Sequence, residues 1–308
     1  MMKIYNEWAL KTVVMVTLKG PYMMDKKRFI LNFTPTGLIP TKEMTRQVPV
    51  EPNEIVEQVL EASDLGANMV HLHAREPGSG LPAYQKEIYA EIISGIRKHE
   101  KDLILAVSTS GRHFVEFEKR SQVLELDGEL KPDFGSLTLS SLNFNKQASI
   151  NSPQMIQDLA RTMMMRNIRP ELEVFDLGMI NYAKYLIRKG LLKAPYYFNL
   201  ILGNIACAQA NMLGLGLMVK DLPEGSIWSV GGVGDSQLPM NAMALVEGGG
   251  VRVGLEDNIW YDEERTKLAS NRSLIERVLT IAKAMGRKPY SHAEARSLLE
   301  VQGEERGI

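Results

Sequence analysis

Residues 69–74 read MVHLHA, a short apolar run that carries two histidines, and an amphipathic stretch follows from Tyr84 to His99. A run of this kind is typical of a buried parallel strand, and the stretch after it is typical of a covering helix. The pairing recurs eight times. The predicted strands are Phe29–Thr34, Met69–Ala74, Leu103–Thr109, Phe134–Leu139, Glu171–Phe175, Tyr197–Leu202, Ser226–Val230 and Val251–Leu255. The predicted helices are Asn53–Ala62, Tyr84–His99, Phe114–Leu126, Ser152–Arg166, Ile180–Arg188, Ile205–Met218, Leu238–Val246 and Glu263–Met285.

Eight strand–helix units over roughly 250 residues predict an α/β fold of the closed (β/α)₈ TIM barrel type. An open doubly wound sheet is the structural alternative, because periodicity does not show closure. No stretch has the composition of an interdomain linker, so we expect a single catalytic domain over residues 26–308. A short N-terminal extension, residues 1–25, precedes it. A C-terminal helix, Ser291–Leu299, is predicted to begin with Ser291 and Glu294 in capping-box spacing.

Composition narrows the class of protein. The 308 residues are 44% hydrophobic and 24% charged, which excludes wholesale disorder. A formal net charge of −1 provides no field to attract nucleic acid or an anionic membrane. We find no apolar run of about 18 residues and no secretory signal, so a membrane protein is not expected. The single cysteine, Cys207, excludes an intramolecular disulfide and favours a reducing, cytoplasmic location.

Candidate metal ligands stand at the ends of the second and eighth strands. His71 and His73 are two residues apart, so both imidazoles can reach one ion, although structural histidines are an equal alternative. The eighth strand runs Arg252-Val253-Gly254-Leu255-Glu256-Asp257-Asn258, with Glu256 on the face of Arg252 and Asp257 where the strand becomes a loop. Two imidazoles and one carboxylate leave a coordination position open, as catalytic zinc sites do. A plain Arg252–Glu256 ion pair is the alternative.

Hydroxyl and carboxyl side chains at the ends of strands three to five are candidate substrate-binding groups. Hydroxyls on one face suit a carboxylate or an oxyanion, although serine and threonine also cap strand ends. Glu171 and Glu173 share a face, and they are either inward acids or partners of Arg75. The hydroxyl candidates are Ser108, Thr109, Ser110, Ser136, Thr138 and Ser140.

Glycines surround the last strands. Gly231–Gly234 and Gly248–Gly250 would let backbone amides approach a phosphate, but tight turns need glycine as well. Cys207 is interpreted as an inert packed thiol.

Together these motifs resemble the β-keto acid cleavage enzyme family over about residues 28 to 300. The motifs, in chain order, are His71-Leu72-His73-Ala74-Arg75-Glu76, Ser108-Thr109-Ser110-Gly111, Leu142-Asn143-Phe144, Glu171-Leu172-Glu173-Val174 and Arg252-Val253-Gly254-Leu255-Glu256-Asp257-Asn258. The last, followed by Ile259-Trp260-Tyr261, is the most specific.

The resemblance implies a zinc-dependent barrel that condenses a β-keto acid with acetyl-CoA and cleaves the product to acetoacetate and a new acyl-CoA. It implies a homotetramer. It also implies that His71, His73 and Glu256 hold the metal, with Asp257, oriented by Arg252, as general base. Ser108 would assist at the acyl centre. The substrate-binding candidates are then Ser136, Thr109, Ser110, Thr138 and Glu173.

Two positions depart from the family. Members that accept an amino-bearing substrate carry a glutamate two residues after a Thr-Gly, whereas here Thr36-Gly37 is followed by Leu38 and Ile39. We therefore expect an uncharged or apolar tail on the β-keto acid. Asp235 stands where the best-known member has a basic residue, which leaves the CoA phosphate contacts open.

Three alternatives remain at this point. Nickel, cobalt, manganese or iron could replace zinc on the same ligands. The chain could be a metal-dependent aldolase or lyase that needs no CoA, or a non-catalytic barrel that binds a metal or a metabolite.

Overall fold

A computed structural model describes residues 25–301 of the chain, and within them eight parallel strands form a closed barrel. Each strand is hydrogen-bonded to the strands before and after it, and the eighth pairs with both the seventh and the first. The predicted (β/α)₈ barrel is therefore confirmed, and the open-sheet alternative is wrong. The strands are β1 Leu31–Phe33, β2 Met69–Leu72, β3 Ile104–Val107, β4 Phe134–Thr138, β5 Arg169–Val174, β6 Tyr196–Leu202, β7 Ser226–Gly232 and β8 Gly250–Val253.

A helix follows every strand, and a ninth comes after α8. The helices are α1 Pro52–Leu65, α2 Lys86–Arg97, α3 Phe117–Ser121, α4 Pro153–Met165, α5 Leu177–Arg188, α6 Met212–Asp221, α7 Gln237–Glu247, α8 Asn271–Ala284 and α9 His292–Leu298. The extension expected at residues 1–25 lies outside the described residues, apart from Asp25. The division into an extension and a single domain therefore stays a prediction.

Three helices differ most from their predicted bounds. The third is a five-residue helix followed by a 3₁₀ turn at Gln122–Glu125. Helix α6 starts seven residues later than predicted, where the Asn211 side chain accepts the amide of Gly214. Helix α8 starts eight residues late, where Ser270 forms a capping box with Ser273. A side chain that accepts an orphan amide fixes a helix start, and periodicity alone does not show which residue does so.

Helix α9 lies across the amino-terminal end of the barrel. Its predicted capping box of Ser291 and Glu294 is confirmed. Ala295 and the next residue after the helix, Leu299, pack with an apolar group that includes residues of the barrel strands. Asp133 joins this end together, since it pairs with Arg296 at 2.9 Å and with Arg97 at 2.8 Å. The barrel floor is therefore closed, which leaves the carboxyl ends of the strands as its opening. The apolar group is Ile30, Met69, Ile104, Ala106, Phe134, Tyr197, Ile227, Tyr290, Ala295 and Leu299.

A polar layer lies above this apolar floor. Asn32 of β1 donates to Glu171 of β5 at 2.8 Å and to the hydroxyl of Tyr197 of β6 at 3.2 Å. Strands β1 and β5 are on opposite sides of the barrel, so these bonds cross its interior. The Tyr197 hydroxyl continues the layer by donating to Ser229 of β7 at 2.9 Å. The interior thus changes from apolar to polar toward the opening.

Gly249, the residue before β8, tests how tightly this strand is packed. A Cβ there would lie 2.0 Å from the Trp228 ring, so Gly249→Ala forces β8 or the indole to move. We expect a loss of about 1–3 kcal/mol in the free energy of unfolding, measured as a lower urea midpoint. The control is Gly216→Ala in α6, where a Cβ meets nothing within 4 Å; it should be neutral or gain up to about 1 kcal/mol. Equal losses in both variants would contradict this packing account.

Candidate functional site

Two buried imidazoles meet at the carboxyl end of β2. His71 lies in the strand and His73 one residue beyond it, and their Nε2 atoms are 3.1 Å apart. The Oε1 atom of Glu256 lies 3.2 Å from Nε2 of His73. One potential ligand atom from each of the three residues falls within 4.8 Å of the others. The structure therefore brings the three predicted metal ligands together.

Glu256 arrives by a turn and not by strand alternation. Strand β8 ends at Val253, two residues earlier than predicted, and the amide of Asp257 donates to the carbonyl of Gly254 at 3.3 Å. The prediction that Glu256 shares a strand face with Arg252 is wrong, because Glu256 lies in the turn after the strand. The turn nevertheless aims both Glu256 and Asp257 back at Arg252.

Arg252 is a buried guanidinium among carboxylates. Its Nε donates to Asp257 Oδ2 at 2.9 Å, and its Nη2 donates to Glu256 Oε1 at 2.7 Å. Its Nη1 lies 3.7 Å from Glu173 Oε1. Burial alone would lower the pKa of Arg252, but the three carboxylates raise that pKa well above its ordinary value. Arg252 therefore stays charged and fixes the direction of Asp257.

Glu171 orients His71 from inside the barrel. Its Oε2 lies 2.6 Å from His71 Nδ1, and its Oε1 accepts the side-chain amides of Asn32 at 2.8 Å and Asn199 at 2.5 Å. A carboxylate on Nδ1 leaves the Nε2 of His71 directed at the cluster. The sequence did not assign this role. The signal available was the polar residues at inward positions of β1 and β6, two strands that an apolar barrel interior would fill with aliphatic side chains.

Arg75 is not the partner of Glu171 or Glu173, which resolves an alternative that the sequence left open. Its guanidinium donates to the backbone carbonyls of Gly37, Pro40 and Gly80, each at 2.9 Å. These bonds tie the loop after β1 to the loop after β2. Arg75 thus holds in place the segment that contains Leu38 and Ile39.

The two histidines of the cluster have pKa values shifted in opposite directions, and so have the carboxylates of Glu256 and Asp257. Burial alone would lower the pKa of His71, but Glu171 and Glu256 raise it to about 9, whereas burial lowers the pKa of His73 to about 4. Burial opposes ionisation of Glu256, yet Arg252 and both histidines hold its pKa well below the usual range. Burial raises the pKa of Asp257 in spite of Arg252. A carboxylate with a raised pKa is better suited than an ordinary one to act as a general base.

Glu173 reaches the same cluster from β5. Its Oε2 accepts the hydroxyl of Thr138 at 2.7 Å, and burial raises its pKa. The Thr138 hydroxyl proton is therefore used in the hydrogen bond to Glu173.

The predicted hydroxyl residues divide into engaged and available groups. Thr109 donates its hydroxyl to the Ser136 carbonyl at 2.5 Å and its amide to the Ser136 hydroxyl at 3.0 Å, so this pair joins β3 to β4. Ser108 and Ser110 accept backbone amides at 3.3 Å each, and neither donates its hydroxyl proton to another residue in the described range. The Ser108 amide donates to the Leu72 carbonyl, beside both histidines. The Ser108 hydroxyl therefore lies at the end of the strand next to β2 and has no acceptor among the described residues.

The glycine-rich runs form turns. The amides of Val233 and Gly234 donate to the carbonyls of Leu202 and Asp257 at 3.0 and 2.8 Å, so neither is free for a phosphate. Asp235 pairs with Arg265 on the surface at 2.9 Å. Gly248 ends α7 in the left-handed conformation. The turn interpretation of both runs is the one that the structure favours.

The cluster fits a divalent cation. Three buried or nearly buried carboxylates, Glu173, Glu256 and Asp257, lie around the guanidinium of Arg252, and a fourth, Glu171, lies against His71. Buried negative charge in excess of its partners is costly, so a cation at the imidazoles would stabilise the arrangement. The Oε2 atom of Glu256 is buried and accepts no hydrogen bond from the residues that the structure describes. His71, His73 and Glu256 are the residues that would hold the ion.

A closed (β/α)₈ barrel with acids, imidazoles and an arginine at the carboxyl ends of its strands defines a barrel enzyme whose site lies at the strand ends. Residues 28–301 match the profile of the β-keto acid cleavage enzyme family, and the chain belongs to that family. The predicted resemblance is confirmed, as is the predicted class of carbon–carbon bond-cleaving acyltransferase.

Two relatives agree with this assignment, and a solved structure shares the fold. The chain is 36% identical to the 3-keto-5-aminohexanoate cleavage enzyme of Fusobacterium nucleatum, over 91% of this chain and 100% of the relative. It is 32% identical to the 3-oxoadipate:acetyl-CoA acetyltransferase of Cupriavidus necator, over 88% of this chain and 94% of the relative. A solved binary complex of ObcA with oxaloacetate shares the fold, with a TM-score of 0.74 and 21% identity over 83% of this chain and 68% of ObcA.

No helix within residues 25–301 is both long and apolar enough to cross a membrane.

The orienting role of Glu171 can be tested through metal affinity. Glu171→Gln keeps the size of the side chain but removes the charge that faces His71 Nδ1, so we expect metal affinity to fall about 10- to 100-fold. Competition with a chromophoric chelator measures it without any need for activity. The matched control is Glu173→Gln, which accepts from Thr138 and lies near Arg252 but makes no hydrogen bond to His71 among the described residues, and it should lose less. An affinity for Glu171→Gln equal to that of the wild type would refute this role.

Proposed function

We propose that the protein condenses a β-keto acid that has an uncharged or apolar tail with acetyl-CoA and cleaves the product to acetoacetate and a new acyl-CoA. The observation that carries the proposal is the convergence of His71, His73 and Glu256 beside an Arg252–Asp257 pair. One carbon–carbon bond and one carbon–sulfur bond break, and one of each forms. The exchange therefore needs no oxidant or reductant.

We propose zinc as the ion that His71, His73 and Glu256 hold, because two imidazoles and one carboxylate suit it. When bound, the ion supplies Lewis-acid polarisation of the ketone and binds the carboxylate of the keto acid. We also propose a homotetramer, which the family resemblance implies. The single cysteine favours a cytoplasmic location.

Asp257 is proposed as the general base. Its carboxylate removes a proton from a carbon beside a carbonyl group, and the two hydrogen bonds from Arg252 fix its direction at 2.9 and 3.3 Å. The Ser108 hydroxyl donates to the oxyanion that develops at the acyl centre. The proposed substrate-binding residues beside them are Ser136, Thr109, Ser110, Thr138 and Glu173. Among these, the hydroxyls that already make hydrogen bonds position backbone and carboxylate groups.

Support for the apolar tail comes from the loop after β1. The backbone of Gly37 lies against Glu256, since a Cβ on Gly37 would lie 2.5 Å from Glu256 Cγ. Leu38 and Ile39 follow at once, on the segment that Arg75 holds. Ile39 is 47% exposed, so this segment presents an apolar side chain to solvent. An ammonium group there would lack a carboxylate partner from this segment.

The base assignment predicts a loss of turnover without a loss of metal. Asp257→Asn keeps the amide oxygen near Arg252 but removes the basic carboxylate, so acetoacetate formation should fall about 10²- to 10⁴-fold. Elemental analysis of the same preparation should still give about one divalent ion per chain. A variant that keeps more than about a tenth of the activity would rule out Asp257 as the base, whereas loss of the ion would point to a structural role.

The substrate assignment predicts an order of reactivity. Metal-loaded protein is given acetyl-CoA with β-keto acids whose tails are apolar, amino-bearing or carboxylate-bearing, and acetoacetate is measured. We expect the substrate with the apolar tail to give the highest kcat/KM. Ile39→Glu should raise the kcat/KM of the substrate with the amino-bearing tail about tenfold, because it adds an ion-pair partner. The control is Val246→Glu, near the exposed C-terminal end of α7 and away from the barrel opening. Turnover without acetyl-CoA would favour the aldolase or lyase alternative, and no turnover of any substrate would favour a non-catalytic barrel.

A further inference from the structure

Arg112 carries a guanidinium that has no hydrogen-bond or ion-pair partner among residues 25–301. Arg112 follows the serine-rich end of β3, and its side chain is half-buried. Its backbone amide donates to Ser110, but the guanidinium itself makes no hydrogen bond or ion pair with any residue from 25 to 301. Its central carbon lies 3.4 Å from the centroid of the Phe144 ring. The ring holds one face of the guanidinium and leaves the N–H edges free.

The backbone that carries Arg112 is fixed from below. The carbonyl of Gly111 accepts the amide of Ile150 at 3.1 Å, and a Cβ on Gly111 would lie 2.2 Å from the Ile150 carbonyl oxygen. Arg120 joins the same two segments, because it donates to the carbonyls of Thr109 and Ile150 at 2.8 and 3.0 Å. Arg120 is thus fully engaged within the fold, whereas Arg112 is held in place but unused.

The ring beneath Arg112 is also fixed. Phe144 packs edge-on against Phe175, with centroids 5.8 Å apart and an interplanar angle of 90°. Phe175 is the residue after β5, the strand that supplies Glu171 and Glu173. A side chain that is ordered before a ligand binds loses little conformational freedom on binding.

Arg112 also belongs electrostatically to the cluster. Burial lowers its pKa below the ordinary value for arginine, while the carboxylates of Glu256, Glu173 and Asp257 act in the opposite direction. Those three are already paired with Arg252 and, in part, with His73. None of them lies within ion-pair distance of Arg112, so Arg112 forms no ion pair with the carboxylates that act on it.

We propose that Arg112 is an anion-binding residue at the barrel opening, where it forms two parallel hydrogen bonds to the oxygens of a substrate carboxylate or phosphate. This inference rests on the proposed function. Two sources offer that chemistry: the phosphates of acetyl-CoA and a second carboxylate at the end of a keto diacid. A planar fork of N–H donors matches either group.

The test is Arg112→Gln, assayed with acetyl-CoA and with acetylpantetheine, which lacks the phosphates, each against an apolar-tail keto acid and a keto diacid. Arg188→Gln, at the exposed end of α5, removes the same charge far from the opening and is the control. We expect the KM of one anionic substrate to rise about tenfold or more, with a smaller change in kcat. Arg112→Lys should give an intermediate KM, because it keeps the charge but loses the fork.

The outcomes separate the two sources. A KM effect seen with acetyl-CoA and absent with acetylpantetheine assigns Arg112 to the phosphates. An effect confined to the keto diacid assigns it to a tail carboxylate and contradicts the apolar tail proposed above. Equal effects on every substrate, or none, overturn the proposal. If the wild-type protein forms no acetoacetate, the proposed function fails by itself. Calorimetric titration of CoA into the wild type and both Arg112 variants then still shows whether Arg112 binds the phosphates.

Discussion

One buried guanidinium, Arg252, makes the rest of the site possible. It contacts Glu256, Asp257 and Glu173 from a position that is almost wholly inaccessible to water. Without it these carboxylates could not stay ionised so close together, and neither Glu256 as a carboxylate ligand nor Asp257 as the proposed base would be available. Arg252 alone does not balance the carboxylates of the cluster once Glu171 is included. A cation bound at the imidazoles at the end of β2 would supply further positive charge.

Much of this arrangement could be predicted from the sequence because it depends on strand order. Apolar runs that alternate with amphipathic helices identify the barrel, and the barrel brings residues at strand ends to one opening. That logic placed His71 and His73 beside the end of β8, and the structure has them there. For Glu256 the conclusion held but its reason did not, since a turn after Val253 directs the side chain.

Contacts across the barrel could not be predicted in the same way. Glu171 meets His71 from a strand 100 residues away in sequence, and no local pattern encodes which inward acid faces which inward base. Arg75 was a plausible partner for Glu171, yet it serves three carbonyls of the loops instead. The late starts of α6 and α8 have a similar origin, because Asn211 and Ser270 fix them through single side-chain hydrogen bonds.

The position of β8 between β7 and β1 has a consequence for how the protein is made. Arg252, Glu256 and Asp257 all come from this last strand or the turn after it, while the imidazoles come from β2. During synthesis the histidines emerge from the ribosome long before the residues that complete their surroundings. In a nascent chain the candidate site is therefore incomplete until the final strand inserts. The site is therefore complete only in a chain whose barrel has closed.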